Sequence, residues 1–217
     1  MSGASAPPIV LASGSPRRRE LLARLGLRFE VDPPRRAEDA WSVGEDPDVY
    51  AGRIAAAKAA EVAERRPDAL VVAGDTIVVL DGDVLGKPGD AVSARAMLAR
   101  LSGREHAVHT ALTVIAPGGV RATGTEITRV RFRTLGAEEI DAYVATGEPL
   151  DKAGAYGIQA FGAILVEGVR GCYFNVMGLP LVRLLTLLDE VGWAYRLPGR
   201  FRAVGPAAAP PRSLPSR

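Results

Sequence analysis

Leu70-Val71-Val72-Ala73-Gly74-Asp75-Thr76-Ile77-Val78-Val79-Leu80 is the strongest strand signal in the chain. The run is largely apolar and rich in β-branched residues, which gives it strong β character. Asp81-Gly82 follows with hairpin-turn chemistry and leads into Asp83-Val84-Leu85. One residue breaks the apolar pattern. Asp75 places a carboxylate where ionisation costs several kcal/mol unless it is paired or bound to a metal. The neighbouring Thr76 can donate or accept a hydrogen bond. An Asp at a bulge beside Gly74 is the structural alternative.

Upstream, Ile9-Val10-Leu11-Ala12 reads as a short buried strand that enters Ser13-Gly14-Ser15-Pro16 and then Arg17-Arg18-Arg19-Glu20-Leu21-Leu22. Ser15 is a suitable N-cap, Pro16 fits the first helical position and Gly26 a C-terminal stop. A helix N-terminus offers unpaired N–H groups and positive potential, and Arg17 and Arg18 add full charge there. Together they can cradle phosphate. A capped surface helix with solvated arginines would leave the same local sequence. A second helix is predicted from Asp46-Pro47 to about Arg65. Downstream come a helix from Asp90 to about Ser102, strands over 106–115 and 120–133, a helix near 137–146, a strand near 163–166 and a helix from 179 to about 191. Strands and helices interleave, but two long hairpins exclude a purely parallel sheet. The expected fold is α/β, a mixed sheet with flanking helices.

Three lone polar residues in apolar or small surroundings add to the picture: Lys58 in an Ala-rich helix, Lys87 before Pro88, and Gln159 in Gly157-Ile158-Gln159-Ala160. Singly each reads as a solvated side chain. With a phosphate cradle and a carboxylate they form a set suited to triphosphate chemistry, which needs several cations and an acid to hold Mg²⁺ or orient water.

Composition removes several other classes. The 217 residues contain no apolar run long enough to span a membrane, and Met1 to Pro8 lacks the pattern of a signal peptide. A single cysteine, Cys172, cannot form an internal disulfide, and with only His106 and His109 a zinc site of the usual kind is not expected. Those histidines, three apart in a strand, face opposite sides and read as structural or exposed. The formal net charge is +2, but Arg200, Arg202, Arg212 and Arg217 lie beyond Pro198 with no acid among them. The remainder is therefore slightly acidic, and it has no aromatic stacking platform, which argues against nucleic acid. Residues 1–197 are expected to form one domain, and 198–217 a disordered Pro/Ala/Arg-rich tail.

The segment Leu11-Ala12-Ser13-Gly14-Ser15-Pro16-Arg17-Arg18-Arg19-Glu20-Leu21-Leu22 resembles the opening motif of the Maf family of nucleotide pyrophosphatases. Gly74-Asp75-Thr76-Ile77-Val78, Lys87-Pro88 with Asp90, the run from Asp151 to Gln159, and Val176-Met177-Gly178-Leu179-Pro180 are similar to its other signatures, over roughly residues 9–192. The resemblance implies a fold shared with inosine triphosphate pyrophosphatases, an active cleft between two lobes, and a cytoplasmic homodimer. It also implies a divalent metal, Mg²⁺ or Mn²⁺, and cleavage of a nucleoside triphosphate to monophosphate and pyrophosphate, a house-cleaning of nucleotide pools. Ser13, Arg17, Arg18, Lys58 and Lys87 would then bind substrate. Asp75 would be the catalytic carboxylate, and Glu38 with Asp75 would hold metal. Arg17, Thr76 and Gln159 match the dTTP/UTP branch, where a 7-methyl-GTP branch has Trp, Gln and Lys. The family commonly has two neighbouring acids near Glu38; here the run is Arg35-Arg36-Ala37-Glu38-Asp39. A nucleotide-binding regulator of cell division is the reading from a different class.

Overall fold

A computed structural model describes residues 6–204. The apolar run ending at the Asp81-Gly82 turn is β3 (Leu70–Leu80), the central strand of a seven-stranded mixed sheet. On one side β5 (Glu105–Ile115) pairs with it antiparallel from Val71 to Val79, followed by β6 (Arg121–Phe132) and β7 (Val166–Arg170). Its other side is shared by two short strands. β1 (Ile9–Leu11) runs parallel to Leu70–Val72, with β2 (Phe29–Val31) outside it, and β4 (Asp83–Leu85) pairs antiparallel with Val78–Leu80. The hairpin into β4 has positive φ at both turn residues, 55° at Asp81 and 87° at Gly82, as a type I′ turn requires. Between β1 and β4, residues 73–77 have no strand beside them on that edge.

Side chains alternate across β3, so its two faces do different work. Val71, Ala73 and Ile77 face α2 (Pro47–Arg65), where Ala51, Ala55, Ala59 and Val62 bring the helix close to the sheet. Leu70, Val72, Val78 and Leu80 face the main core. α1 (Pro16–Ala23), α3 (Ala91–Leu101) and α6 (Leu181–Glu190) bury leucines there, and α4 (Ala137–Ala145) buries Ile140, Tyr143 and Val144; the one-turn α5 (Tyr173–Val176) connects β7 to α6. The predicted cap at Ser15 forms, its side chain accepting the Arg18 N–H; at the next two predicted helix starts the Asp46 carboxylate accepts the N–H groups of Asp48 and Val49, and the Asp90 carboxylate that of Ser93.

The structure departs from the sequence reading at three places. β2 is a three-residue edge strand with no periodicity to read. The strand expected near 163–166 is a 3₁₀ turn over Phe161–Leu165, with the strand starting at Val166. The expected tail boundary at Pro198 falls inside a hairpin of β8 (Trp193–Arg196) and β9 (Arg200–Ala203). Arginines masked this hairpin, but Phe201 and Tyr195 pack against the core with rings edge-to-face at 6.4 Å, and the Tyr195 hydroxyl donates to Leu25 O at 2.7 Å. The rest of the expected tail, 205–217, lies outside the described residues. No helix among the described residues is long and apolar enough to cross a membrane.

Candidate active site

A cleft of about 820 Å³ opens beside the unpaired stretch of β3, and all nine residues singled out in the sequence line it. Six cationic side chains and three acidic ones face it, so the cleft favours an anion.

Asp75 has odd parity on β3 and therefore points toward α2. There it meets Lys58, which stands between alanines on that helix. The Lys58 ammonium donates to Asp75 Oδ1 at 2.7 Å and lies 3.0 Å from Glu38 Oε1. Asp75 is 8% exposed. Glu38 arrives on a loop pinned from below by the buried Glu61 of α2, whose carboxylate accepts the Arg35 N–H at 2.7 Å, the Arg36 N–H at 3.2 Å and Arg65 at 2.8 Å. Arg35 is the chief reason the Glu61 carboxyl sits below its usual range; burial opposes it, and Arg65 reinforces it. Asp39 turns away to Arg53 at 3.0 Å. The acid reaching Lys58 beside Asp75 is thus Glu38 alone. Tyr50 also lines the cleft and donates to Asp39 O at 3.2 Å. Burial first, then the charges of Asp75 and Glu38, raises its phenol above the ordinary value.

Thr76 has even parity and faces the other way. The Arg18 guanidinium reaches it at 2.9 Å, Gly178 O at 2.8 Å and Ser13 Oγ at 3.2 Å. Thr110 donates to Asn175 O at 2.9 Å, so the 3.0 Å bond between Thr76 and Thr110 must carry the Thr76 proton. The chain Arg18 to Thr76 to Thr110 to Asn175 is therefore fixed in direction, and Thr76 has no proton left for a ligand. Its oxygen accepts from Arg18 and so helps to hold that guanidinium. Two glycines make room for that guanidinium: a Cβ on Gly74 would lie 2.8 Å from Leu112 Cδ2 and 3.4 Å from Arg18 Nε, and one on Gly178 3.2 Å from Thr76 Oγ1. Burial is the main pull on Arg18, lowering its pKa, with Asp75 acting against it. Ser13 Oγ accepts from Ser15 N–H and Arg18, which leaves the Ser13 proton free to meet an anion.

The opposite wall carries Lys87, exposed and without a partner among the described residues, and Gln159, exposed and likewise free. Arg17 reaches toward that wall and lies 3.6 Å from Asp151. Lys152 donates to Asp151 at 2.6 Å and to Glu148 O at 2.7 Å. Asp151, Lys152, Arg36 and Tyr50 also line the cleft, beyond the residues that the sequence nominates for the site. Lys152, a lone lysine among small residues like Lys87, carried a readable signal; Tyr50 and Arg36 carried none. Neither histidine lines the cleft. His106 is 1% exposed and bonded to Tyr156 Oη at 2.8 Å, and burial lowers its pKa to about 4. His109 pairs with Asp48 on the opposite face. No group of three or more His, Cys, Asp or Glu among the described residues could hold a metal without other ligands.

Comparison with known proteins gives the family. The family model described as Maf-like protein matches residues 8–191. A dTTP/UTP pyrophosphatase of Moorella thermoacetica is 54% identical over 185 residues, covering 85% of this chain and 95% of its own. Its counterpart of the same name in Nitratidesulfovibrio vulgaris is 50% identical over 188 residues, covering 87% and 90%. Among solved structures, a nucleoside-triphosphatase / dITP/XTP pyrophosphatase from Mycobacterium abscessus matches 58% of this chain and 72% of its own at 19% identity, with a TM-score of 0.38, too loose a likeness to bear on the site.

Proposed function

Because the chain belongs to the Maf-like protein family, we propose that it hydrolyses dTTP and UTP to the nucleoside monophosphate and pyrophosphate. The observation that carries this reading is the opposition of Asp75, paired with Lys58 and Glu38, to a cationic cradle of Ser13, Arg17 and Arg18 in one cleft. Relatives about half identical over most of both chains carry that activity in their names.

The donor set fits a hard divalent cation. Mg²⁺ is typically held by one or two carboxylates together with substrate phosphates and water, and Glu38 and Asp75 already approach one small cation, the Lys58 ammonium, within 3.0 Å. Mg²⁺ or Mn²⁺ bound there would neutralise triphosphate charge and polarise the scissile phosphoanhydride. The chain's own groups do the rest. Ser13 donates its free proton to a phosphate oxygen. Arg17 and Lys87 offset the charge that builds on the departing pyrophosphate. Asp75 takes the proton of the water that attacks the α-phosphorus, and the bond to the bridging oxygen breaks with pyrophosphate leaving. Gln159 can donate to a pyrimidine carbonyl while accepting the N3–H of uracil or thymine. Cytosine lacks that proton, so CTP is a poorer substrate, and UTP and dTTP exceed purine triphosphates by at least about tenfold, ~1.4 kcal/mol. A cytoplasmic homodimer belongs to the same reading.

The test is product analysis of UTP and dTTP turnover with Mg²⁺. UMP or dTMP with pyrophosphate, abolished by a chelator, is the expected result. NDP with inorganic phosphate would reject the assignment, and nucleotide binding without turnover would favour a regulator.

A further inference from the structure

The turn 157–162, which carries Gln159 at its tip, is fastened at both ends by one pair of side chains. Tyr143 lies near the end of α4, 5% exposed, and Glu148 begins the 3₁₀ turn that follows. The Tyr143 hydroxyl accepts the Gly157 N–H at 3.1 Å and donates to Glu148 Oε1 at 3.0 Å. The Glu148 carboxylate in turn accepts the Phe161 N–H at 3.0 Å and the Gly162 N–H at 3.3 Å. The ends of the turn touch: a Cβ on Gly162 would lie 2.3 Å from Gly157 O and 2.6 Å from Tyr143 Oη. Lys152, bonded to the Glu148 backbone, packs its stem where a Gly157 Cβ would stand. Within this clamp Gln159 is exposed to the cleft, and its amide makes no hydrogen bond among the described residues.

A free amide on a fixed turn loses less entropy on binding than one on a loose loop, and its direction is set before the ligand arrives. We propose that Tyr143 and Glu148 are positioning residues for base selection, holding the 157–162 turn so that Gln159 meets the pyrimidine edge in one orientation. This rests on the reading of Gln159 as the residue that senses the base. Neither side chain touches the reacting atoms.

Tyr143→Phe tests it, because the ring stays in the core and only the bridging hydroxyl is lost. The ratio of kcat/KM for UTP over GTP is expected to fall about threefold to tenfold. In a Gln159→Ala background the same substitution should leave the ratio unmoved. Glu148→Gln, which retains one acceptor oxygen, should give a smaller fall. Hydrogen exchange of the 157–162 amides should quicken at least about tenfold in Tyr143→Phe, a readout independent of turnover. If Gln159→Ala erodes the ratio while Tyr143→Phe and Glu148→Gln lower both substrates equally or not at all, the clamp has no part in selection. If Gln159→Ala itself leaves the ratio intact, the base reading fails and the proposal falls with it.

Discussion

Lys58 and Asp75 form an asymmetric pair, and the asymmetry predicts which half can be removed. Each side chain is 11% exposed, and Asp75 has no other hydrogen-bond partner among the described residues, whereas Lys58 also reaches Glu38. Lys58→Met keeps the length and apolar stem of the side chain but leaves the Asp75 carboxylate alone among Ala and Ile neighbours. Breaking a fully buried ion pair from one side costs about 3–5 kcal/mol. Asp75 borders an open cleft where water can approach, so roughly 2–3 kcal/mol is expected here, or about 5–10 °C in Tm for a chain of this size. Asp75→Asn leaves Lys58 with Glu38 and should cost less than about 1 kcal/mol. The double variant removes the stranded charge, and it should recover most of what Lys58→Met lost, a coupling of roughly 2 kcal/mol. Urea denaturation of the four proteins at neutral pH, without metal, measures the cycle. Additive losses would refute the reasoning, because they would mean that the carboxylate is solvated by something other than Lys58.

Asp75→Asn should lower kcat by roughly 10²–10⁴ with little change in KM, and steady-state kinetics on UTP showing a near wild-type kcat would take Asp75 out of the chemistry. His106 binds its proton more readily in the unfolded chain, near pH 6.5, than in the fold, near 4; stability is therefore full above about pH 6.5 and declines as pH falls toward 4, by up to roughly 3 kcal/mol. His106→Gln should flatten that decline in urea midpoints measured from pH 7 to 4.5, and an equal slope in both proteins counts against it. A chain ending at Leu197 loses β9 and the Phe201 contact with the core, so it should melt earlier by about 2 kcal/mol of stability; an unchanged Tm would show the hairpin to be dispensable.

Where local chemistry determines structure, the sequence was readable. The apolar run of β3, the Asp81-Gly82 turn, the cap at Ser15 and the helix starts at Asp46 and Asp90 each carry their cause within a few residues, and each forms as read. β9 was not legible because its value lies in distant contacts: Phe201 among arginines looks like tail until Tyr195 and the core are beside it. The cleft residues could be nominated as chemically odd, but their pairing could not. That Lys58 finds Asp75 and Glu38, while Asp39 goes to Arg53, depends on how a loop is pinned by Glu61. Strand parity did hold usable information. Adjacent residues 75 and 76 must face opposite sides, which separates a carboxylate meant for α2 from a hydroxyl meant for Arg18.

That separation explains how a strand built for a core can host a polar site. A fully paired central strand would have to satisfy Asp75 between two neighbouring strands and two apolar layers. Here β1 leaves the β3 edge after Val72 and β4 joins it only at Val78, so the polar residues fall in the interval where the cleft replaces a strand. On one face, alanines bring α2 close enough for Lys58 to span the remaining distance to Asp75. On the other, Gly74 and Gly178 leave the volume that Arg18 fills, and Thr76 and Thr110 consume the donors and acceptors around it. Val71, Ala73 and Ile77 on the first face, and Leu70, Val72 and Val78 on the second, remain in apolar contact throughout. The rigidity of the sheet is thus passed directly to Asp75 and, through Thr76, to Arg18, the groups between which the proposed reaction would place a bound phosphate and its attacking water.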